Sequence, residues 1–287
     1  MNRFLAFLAL SFIFYSSALF AQGVDSERLA AVLDAQAAET RARYGYRHPQ
    51  ETLEFFEVAP GTVVVEALPG SGWYTKILSP YVGPEGSVVG VDYAQEMFPL
   101  FGFFSEEQLK AKETWAQDWV AGTADWGIED GAPISAFVFG SMPEEMKGTA
   151  DTVLFIRALH NLARFEGDGQ YLTTALQNAY DVLKPGGVVG IVQHHARQDM
   201  PDSFAAGQTG YLKYRFVMDR MKQAGFVFVG AIDVNANEAD QPTTDDIVWR
   251  LPPSMVTSRE DPELRQAMQA IGESNRMTLK FRKPEQE

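Results

Sequence analysis

Cysteine is absent from this chain of 287 residues. The protein can therefore form no disulfide framework, and it has no cysteine to which a lipid could be attached. Basic residues are also few, because 24 Lys and Arg are outnumbered by 38 Asp and Glu, for a formal net charge of -14. Nucleic-acid binding requires a concentrated basic face. The charge balance therefore predicts no nucleic-acid partner.

Long apolar runs are equally scarce, and the most prominent one lies at the N-terminus. Arg3 precedes a largely apolar run over residues 4–15, and small residues follow up to Ala18 or Ala21. This three-part order is typical of a secretory signal peptide, predicted over residues 1–21. The run is short for a hydrocarbon core of roughly 30 Å, so a permanent anchor is the less favoured alternative. We expect a periplasmic or secreted protein with no stable membrane span after cleavage.

Residues 22–60 are predicted to form N-terminal helices. Apolar residues recur at helical spacing over residues 25–43, with Asp25 or Ser26 at the start. A second helix is expected to have Pro49 in its first turn and to end at Pro60-Gly61. His48, directly before that proline, is predicted to be a helix cap.

Residues 61–287 alternate between buried apolar runs and helical patterns. The predicted strands cover residues 62–68, 86–92, 134–140, 151–159, 186–194, 226–234 and 276–284. Continuous Val, Ile, Leu and Phe runs separated by helices indicate a parallel sheet covered on both faces. We predict an α/β fold with a doubly wound, mostly parallel seven-stranded sheet and an antiparallel last strand. A helical insertion is expected near residues 105–130, with its three tryptophans used for packing.

The stretch "EALPGSGWYT", residues 66–75, is the strongest candidate for a ligand-binding loop. Gly70 and Gly72 follow the first strand and precede a helix, where glycine permits close approach of the backbone to a ligand. Asp92 closes the second strand, where a carboxylate can accept both ribose hydroxyls. A dinucleotide fingerprint would place a third glycine near position 75, which is Thr75 here. The pattern favours an adenosine-containing ligand, with a ligand-free turn as the alternative.

Four further stretches strengthen this interpretation: "VVGVD", "ADTVLFIRALHN", "VLKPGGVVGIV" and "IGESNRMTLKF". With the loop "VVVEALPGSG", the first three resemble class I S-adenosylmethionine-dependent methyltransferases. The last resembles, more narrowly, a group of exported bacterial predicted methyltransferases. The resemblance implies S-adenosylmethionine as cofactor, with Asp92 at its ribose. The residues it implies near the rest of the cofactor are Glu66, Gly70, Ser71, Gly72, Trp73, Tyr74, Ser141 and Arg157.

The sequence departs from the family pattern at two places. Leu68 occupies the position of the usual first glycine, and Pro69 stiffens the loop that follows. The third strand lacks the acid that often meets the adenine amine, so that Ser141 is left as a substitute. Both departures bear on the cofactor site more than on the fold.

Polar side chains collect at the ends of the fourth and fifth predicted strands. His160 and Asn161 follow the fourth strand, and His194 and His195 follow the fifth. A histidine there can act as general base or bind a metal. We expect His160 and His194 to share one pocket, because the ends of adjacent parallel strands converge.

Arg157 interrupts an apolar strand, so its charge needs a partner. Glu66 on the neighbouring strand and an anionic ligand are the two candidates. Arg276, which opens the last strand, could also reach the rim of the pocket.

The sequence therefore predicts methyl transfer from S-adenosylmethionine to a small-molecule acceptor, with His160, Asn161 and His194 as catalytic candidates. The alternative is an exported protein of the same fold that does not use S-adenosylmethionine. Such a protein would bind a metal or small ligand through His160, His194 and His195. Sequence reasoning predicts neither the acceptor nor the oligomeric state.

Overall fold

The computed structural model describes residues 23–285, so the predicted signal peptide lies outside the described residues. Within them, eight strands form along the chain. They are β1 Val63–Ala67, β2 Ser87–Asp92, β3 Ile134–Val138, β4 Ala150–Ile156, β5 Leu183–Ala196, β6 Leu212–Lys213, β7 Val227–Ile232 and β8 Arg276–Arg282.

The sheet has the strand order β3-β2-β1-β4-β5-β8-β7, and the short β6 pairs with the end of β5. Val64 of β1 lies opposite Val88 of β2 on one side and Thr152 of β4 on the other, both in parallel register. β8 runs antiparallel to β5 and to β7. The predicted α/β sheet with an antiparallel last strand is confirmed, as is the parallel pairing of the first two strands.

Twelve α-helices connect and flank the described strands. They are α1 Ser26–Asp34, α2 Ala38–Arg41, α3 Tyr44–Arg47, α4 Pro49–Phe55, α5 Thr75–Val82, α6 Glu106–Lys112, α7 Trp115–Gly122, α8 Leu159–Arg164, α9 Glu166–Gly169, α10 Tyr171–Val182, α11 Tyr214–Gln223 and α12 Pro262–Ile271. None of the helices within residues 23–285 combines the length and the apolar composition needed to cross a membrane.

The N-terminal helices differ from the expectation in two respects. The helix predicted over residues 25–43 is broken after Asp34, where Gln36 donates Nε2 to the carbonyl of Lys76 at 3.1 Å. This contact with a distant helix is not encoded in the local periodicity. Asp25 does cap α1, by accepting from the Arg28 amide at 2.9 Å.

The second N-terminal helix begins at Pro49 as predicted, but it ends at Phe55, before Pro60. Glu57 has a φ of 58°, a left-handed conformation that cannot continue a helix. The prediction that His48 is the cap residue of this helix is confirmed in position. His48 lies at the cap position, but its side chain makes no capping hydrogen bond.

The segment 105–130 forms the connection between β2 and β3 and contains α6 and α7. Trp119 of α7 lies against Gly90 of β2, where an added Cβ would be 2.6 Å from the indole ring. Trp126 covers Gly72 in the same way, with an added Cβ at 2.3 Å. The two tryptophans therefore pack on backbone that only glycine leaves accessible.

Two apolar clusters fill the faces of the sheet. One contains Phe155 and Leu279 and extends under α8, α10 and α11. The other contains Tyr81 and Val64 and extends under α1, α4 and α5. Both faces are covered, so chemistry is confined to the edge where β1, β2, β4 and β5 end.

Candidate active site

The loop after β1 has the backbone path of a glycine-rich loop. Leu68, Gly70 and Gly72 have φ values of 56°, 56° and 78°, all left-handed. A leucine in this region costs roughly 1–3 kcal/mol. The Leu68 amide donates to the Val91 carbonyl at 2.7 Å, which holds the loop against β2. Leu68 therefore keeps the conformation that a glycine would adopt at this position.

Glu66 is buried at the end of β1. Its Oε2 accepts from the Thr75 hydroxyl at 2.6 Å. Burial raises the pKa of Glu66 to about 7, although the Thr75 hydrogen bond and the charge of Arg157 act in the opposite direction. This carboxyl group therefore titrates near neutral pH and fixes the first turn of α5 to β1.

Asp92 closes β2 and is buried, not partly solvated. Lys112 donates Nζ to Oδ2 at 3.1 Å, and the Tyr93 amide donates to Oδ1 at 2.9 Å. Burial raises the pKa of Asp92 even though Lys112 acts to lower it. A carboxylate has about four lone-pair sites, so each oxygen can still accept one hydroxyl. The side chain thus keeps the hydrogen-bonding capacity that the two hydroxyls of a ribose would need.

The remaining predicted cofactor residues are spread around the loop. Trp73 and Tyr74 face the N-terminal helices, where the guanidinium of Arg47 lies 4.5 Å from the Trp73 ring centroid. Tyr74 donates its hydroxyl to the Arg47 carbonyl at 3.4 Å. Ser71 is exposed on the loop, and Ser141 is exposed just after β3.

A cavity of about 300 Å³ lies beyond the ends of β4 and β5. Four predicted site residues line it: Arg157, His160, Asn161 and His194. The ring centroids of His160 and His194 are 5.3 Å apart, which confirms that the two histidines share one pocket. His195 follows His194 on the same strand, so its side chain points to the opposite face, and it is not among the residues that line this cavity.

Both cavity histidines are held neutral. Burial lowers the pKa of His160 to about 4. Burial lowers the pKa of His194 well below its usual range, and the proximity of His160 and of the nearby arginines acts in the same direction. Nδ1 of His194 lies 2.6 Å from the Ser274 hydroxyl. Nδ1 of His160 is buried and has no hydrogen-bond partner among the described residues, so it is available to hydrogen-bond a ligand.

Tyr93 links the cavity to the predicted ribose site. It follows Asp92 directly, and its hydroxyl accepts from Asn161 Nδ2 at 2.8 Å. Tyr93 and Leu68 both line the cavity. The cavity therefore adjoins the glycine-rich loop and the end of β2 through these two residues.

The proposed pairing of Arg157 with Glu66 is wrong. The carboxylate that pairs with Arg157 is Glu273, with Nη1 3.9 Å from Oε2. Glu273 belongs to the turn that precedes β8. This turn lies across the ends of β4 and β5. Sequence reasoning assigned Glu273 no role, although it lies in the stretch "IGESNRMTLKF" that carried part of the resemblance.

The roof of the cavity was also missed. Val248, Trp249, Leu251, Pro252, Pro253 and Ser254 line it, and the Trp249 ring centroid is 5.7 Å from that of His160. A buried network fixes this segment, because Arg250 donates to Asp240 at 2.8 Å and the Tyr211 hydroxyl donates to the same carboxylate at 2.9 Å. The one local signal was a tryptophan within a polar, turn-rich stretch.

No cluster of three or more His, Asp or Glu side chains suited to a metal ion occurs in residues 23–285. The pair His160 and His194 shares its cavity with Arg157 and Trp249. A nearby guanidinium disfavours a cation.

The comparison with known families gives one match. The model of the family described as protein-L-isoaspartate(D-aspartate) O-methyltransferase matches residues 47–150. This range contains the glycine-rich loop, Asp92 and β1 to β3, and it stops at the first residue of β4. No curated protein matches the chain.

Solved structures with the same fold are numerous. The [4+2]-cyclase SpnF has a TM-score of 0.52 at 15% identity, covering 84% of this chain and 81% of that one. A putative methyltransferase of Haloferax volcanii, solved with the Trm112 activator, has a TM-score of 0.50 at 16% identity, covering 90% and 99%. Geranyl diphosphate C-methyltransferase from Streptomyces coelicolor A3(2) has a TM-score of 0.50 at 15% identity, covering 91% and 89%.

These similarities confirm the predicted Rossmann-like methyltransferase fold. The family match and the fold also support the expectation of a methyltransferase that uses S-adenosylmethionine. Because one of the similar structures is a cyclase, the activity of this chain must be argued from its own site.

Proposed function

We propose that this protein transfers a methyl group from S-adenosylmethionine to a small-molecule acceptor. One observation carries the proposal: the cavity that holds His160, Asn161 and His194 adjoins the left-handed loop and the end of β2 through Leu68 and Tyr93. Donor and acceptor sites side by side at one sheet edge are what positioning for in-line displacement requires.

In this proposal the loop 68–72 and Asp92 hold the cofactor, which supplies the electrophilic methyl group when bound. Asp92 accepts the ribose hydroxyls on its two free lone-pair sites. His160 is neutral at physiological pH, so Nδ1 accepts the proton that the acceptor's nucleophile loses. Asn161 orients the Tyr93 hydroxyl at the border of the two sites.

The comparisons support the donor more directly than the acceptor. The family match ends at the first residue of β4, so it covers the predicted cofactor residues up to Ser141 and none of the cavity histidines. Geranyl diphosphate C-methyltransferase acts on a small molecule, which supports a small acceptor here.

Calorimetry on the mature chain tests the proposal. Titration with S-adenosylmethionine and with S-adenosylhomocysteine should each give saturable binding at one site per chain. If neither compound binds, the proposal is wrong. Metal analysis of the same sample covers the alternative of a metal-binding protein, which receives no support from the described residues.

We also propose that the chain is exported, in line with its resemblance to exported bacterial methyltransferases. The support is the three-part pattern of residues 1–21. Expression in a bacterial host with a periplasm, followed by fractionation and intact-mass measurement, should give a periplasmic product cleaved after Ala18 or Ala21. A full-length cytoplasmic product would contradict export.

A further inference from the structure

A buried carboxylate in this structure is surrounded by arginines. Glu273 is 3% exposed, and it pairs with Arg43, Arg47, Arg157 and Arg276. The four arginines come from the N-terminal helices, the end of β4 and the start of β8. They therefore converge from three parts of the chain on one point beside the cavity.

The cluster has an excess of positive charge. Four guanidinium groups face one carboxylate, and Glu273 is the sole carboxylate that forms an ion pair with any of them in residues 23–285. Glu66 is also close enough to Arg157 for the two charges to interact, and it is held by Thr75. Like charges that are buried together are costly unless they are compensated. An additional anion would supply that compensation.

Arg157 is the member of the cluster whose side chain makes no hydrogen bond to the described residues. Arg47 and Arg276 reach Glu273 at 3.2 and 3.1 Å, and Arg276 also donates to the Tyr46 carbonyl at 2.6 Å. Arg157 Nη1 is 3.9 Å from the carboxylate, which is beyond hydrogen-bond distance. Its Nε is buried and unpaired among the described residues, and its side chain is 26% exposed and lines the cavity.

The backbone also holds Arg157 in place. Its φ is 58°, a left-handed conformation that is strained for arginine. Its amide donates to the Val192 carbonyl at 2.6 Å, which fixes it to the end of β5. Strain that the surrounding structure maintains in this way is typical of functional sites.

We propose that Arg157 binds a carboxylate of the methyl acceptor, so that the acceptor is a small organic anion with an apolar body. The carboxylate fits between Arg157 and the Ser274 side of the cavity. The apolar body fits against the roof, which is formed by Trp249, Leu251 and Pro252. This inference rests on the proposed methyltransferase function for the identity of the ligand as acceptor, but the anion site itself does not depend on it.

A carboxylate could also come from the methionine part of the cofactor. The cavity argues for the acceptor, because Arg157 lies in the same cavity as the two histidines while Gly70, Gly72 and Asp92 do not line it. The two sources differ in one measurable respect. Arg157 would affect cofactor affinity only if it bound the cofactor.

Binding of benzoate, with uncharged benzamide as its isostere, tests the site on the mature protein. Wild type should bind benzoate at least tenfold more tightly than benzamide, since a charged hydrogen-bonded pair is usually worth about that much. Arg157→Met should lose this preference, and Arg157→Lys should keep part of it. Arg215→Met, which removes an 80% exposed arginine on α11, should bind benzoate like wild type.

Arg157→Met is expected to fold, because it removes one of several like charges and leaves Glu273 with three partners. Thermal unfolding checks this. If wild type shows no preference for benzoate, or if Arg157→Met retains it, the proposal is wrong.

Titration with S-adenosylhomocysteine distinguishes a carboxylate of the acceptor from a carboxylate of the cofactor. It also tests the anion site separately from the methyltransferase function. Unchanged affinity in Arg157→Met, with benzoate and S-adenosylhomocysteine binding together, supports the acceptor site. Affinity that falls tenfold in Arg157→Met, with competition between the two compounds, assigns the anion site to the cofactor and overturns the proposal. If benzoate binds through Arg157 but S-adenosylhomocysteine does not bind at all, the methyltransferase function fails while the anion site stands.

Discussion

Two buried groups of this site respond to pH in opposite directions. Glu66 has a pKa raised from 4.5 to about 7 by burial, so the folded protein holds a proton that the unfolded chain releases above pH 4.5. His160 has a pKa lowered from 6.5 to about 4, so the unfolded chain binds a proton that the folded protein excludes. Glu66 therefore stabilises the fold least at high pH, and His160 least at low pH.

Glu66→Gln should show this dependence. The contribution of Glu66 is fully present below pH 4.5 and is lost as the pH rises through about 7, and glutamine has no such dependence. The free energy of unfolding of the variant relative to wild type should therefore rise by about 2–3 kcal/mol from pH 5 to pH 8. Urea denaturation at several pH values measures it, with exposed Glu85→Gln as control. If the difference in unfolding free energy between the variant and wild type did not change from pH 5 to pH 8, Glu66 would be ionised in the folded protein over that whole range.

Asp92 is the residue on which cofactor binding should depend most. Replacement by Ala removes the acceptor of two charge-assisted hydrogen bonds, and replacement by Asn removes the charge and one of the two acceptor oxygens. With the Ala variant, S-adenosylhomocysteine should lose roughly 2–5 kcal/mol of binding free energy, and with the Asn variant less. Lys112 then loses its partner, but its side chain is 26% exposed and can be solvated, so the protein should stay folded. Calorimetry compares these variants with Asp118→Asn on α7. A change of less than threefold would leave Asp92 with only a structural role.

At the scale of elements, α7 and the turn after it contact the glycine-rich loop. Gly70 and Gly72 both have positive φ, but an added Cβ at Gly70 meets nothing within 4 Å whereas one at Gly72 meets Trp126. Gly70→Ala should therefore cost only the conformational strain, about 1–2 kcal/mol. Gly72→Ala should cost about 1–3 kcal/mol more, because the indole must move.

The double variant Gly72→Ala/Trp126→Ala isolates the contact. It should be less destabilised than the sum of its two single variants, since removal of the indole relieves the overlap. Chemical denaturation of the four proteins completes the cycle. Strict additivity would mean that Trp126 does not pack on Gly72 in solution.

Seven of the eight strands could be predicted from the sequence because each is an apolar run between turns, whereas the two-residue β6 was not predicted. β7 marks the limit of this reasoning. Its apolar run resembles a buried strand, yet Val227, Phe228 and Val229 are 56%, 39% and 44% exposed, because β8 inserts between β5 and β7 and leaves β7 at the sheet edge. Strand order depends on contacts distant in sequence, and the local pattern does not contain them.

The residues of the candidate site also fall into two groups: those whose position the local sequence predicts and those whose position depends on contacts distant in sequence. His160 and His194 could be predicted because they follow strands, and strand ends converge in a parallel sheet. Trp249 and Glu273 could not, because the chain between β7 and β8 has little periodicity and is placed by tertiary contacts such as the pair Arg250 and Asp240. Arg157 was recognised as needing a partner, but the partner lies more than a hundred residues away.

At the scale of the whole molecule, Glu273 joins the two ends of the described chain. It accepts from Arg43 and Arg47 near the N-terminal end and from Arg276 at the start of the last strand. Burial acts to raise the pKa of Glu273, but the surrounding arginines outweigh it and the pKa is lowered. This carboxylate is therefore ionised at neutral pH, and its ion pairs add to the apolar contacts that attach the N-terminal helices to the sheet.

Glu273→Gln should unfold more easily than wild type by about 3–5 kcal/mol at pH 7, because it leaves four guanidinium groups without a counter-charge. The loss relative to wild type should shrink as the pH falls through the lowered pKa of Glu273, where wild type loses the same charge. Denaturation curves at pH 7 and at acid pH measure both effects, with exposed Glu260→Gln as control. Added sulfate should stabilise Glu273→Gln more than wild type, since the anion can enter the cluster in place of the carboxylate. A variant as stable as wild type at pH 7 would show that the arginines are solvated in solution and that the N-terminal helices are held by their apolar contacts alone.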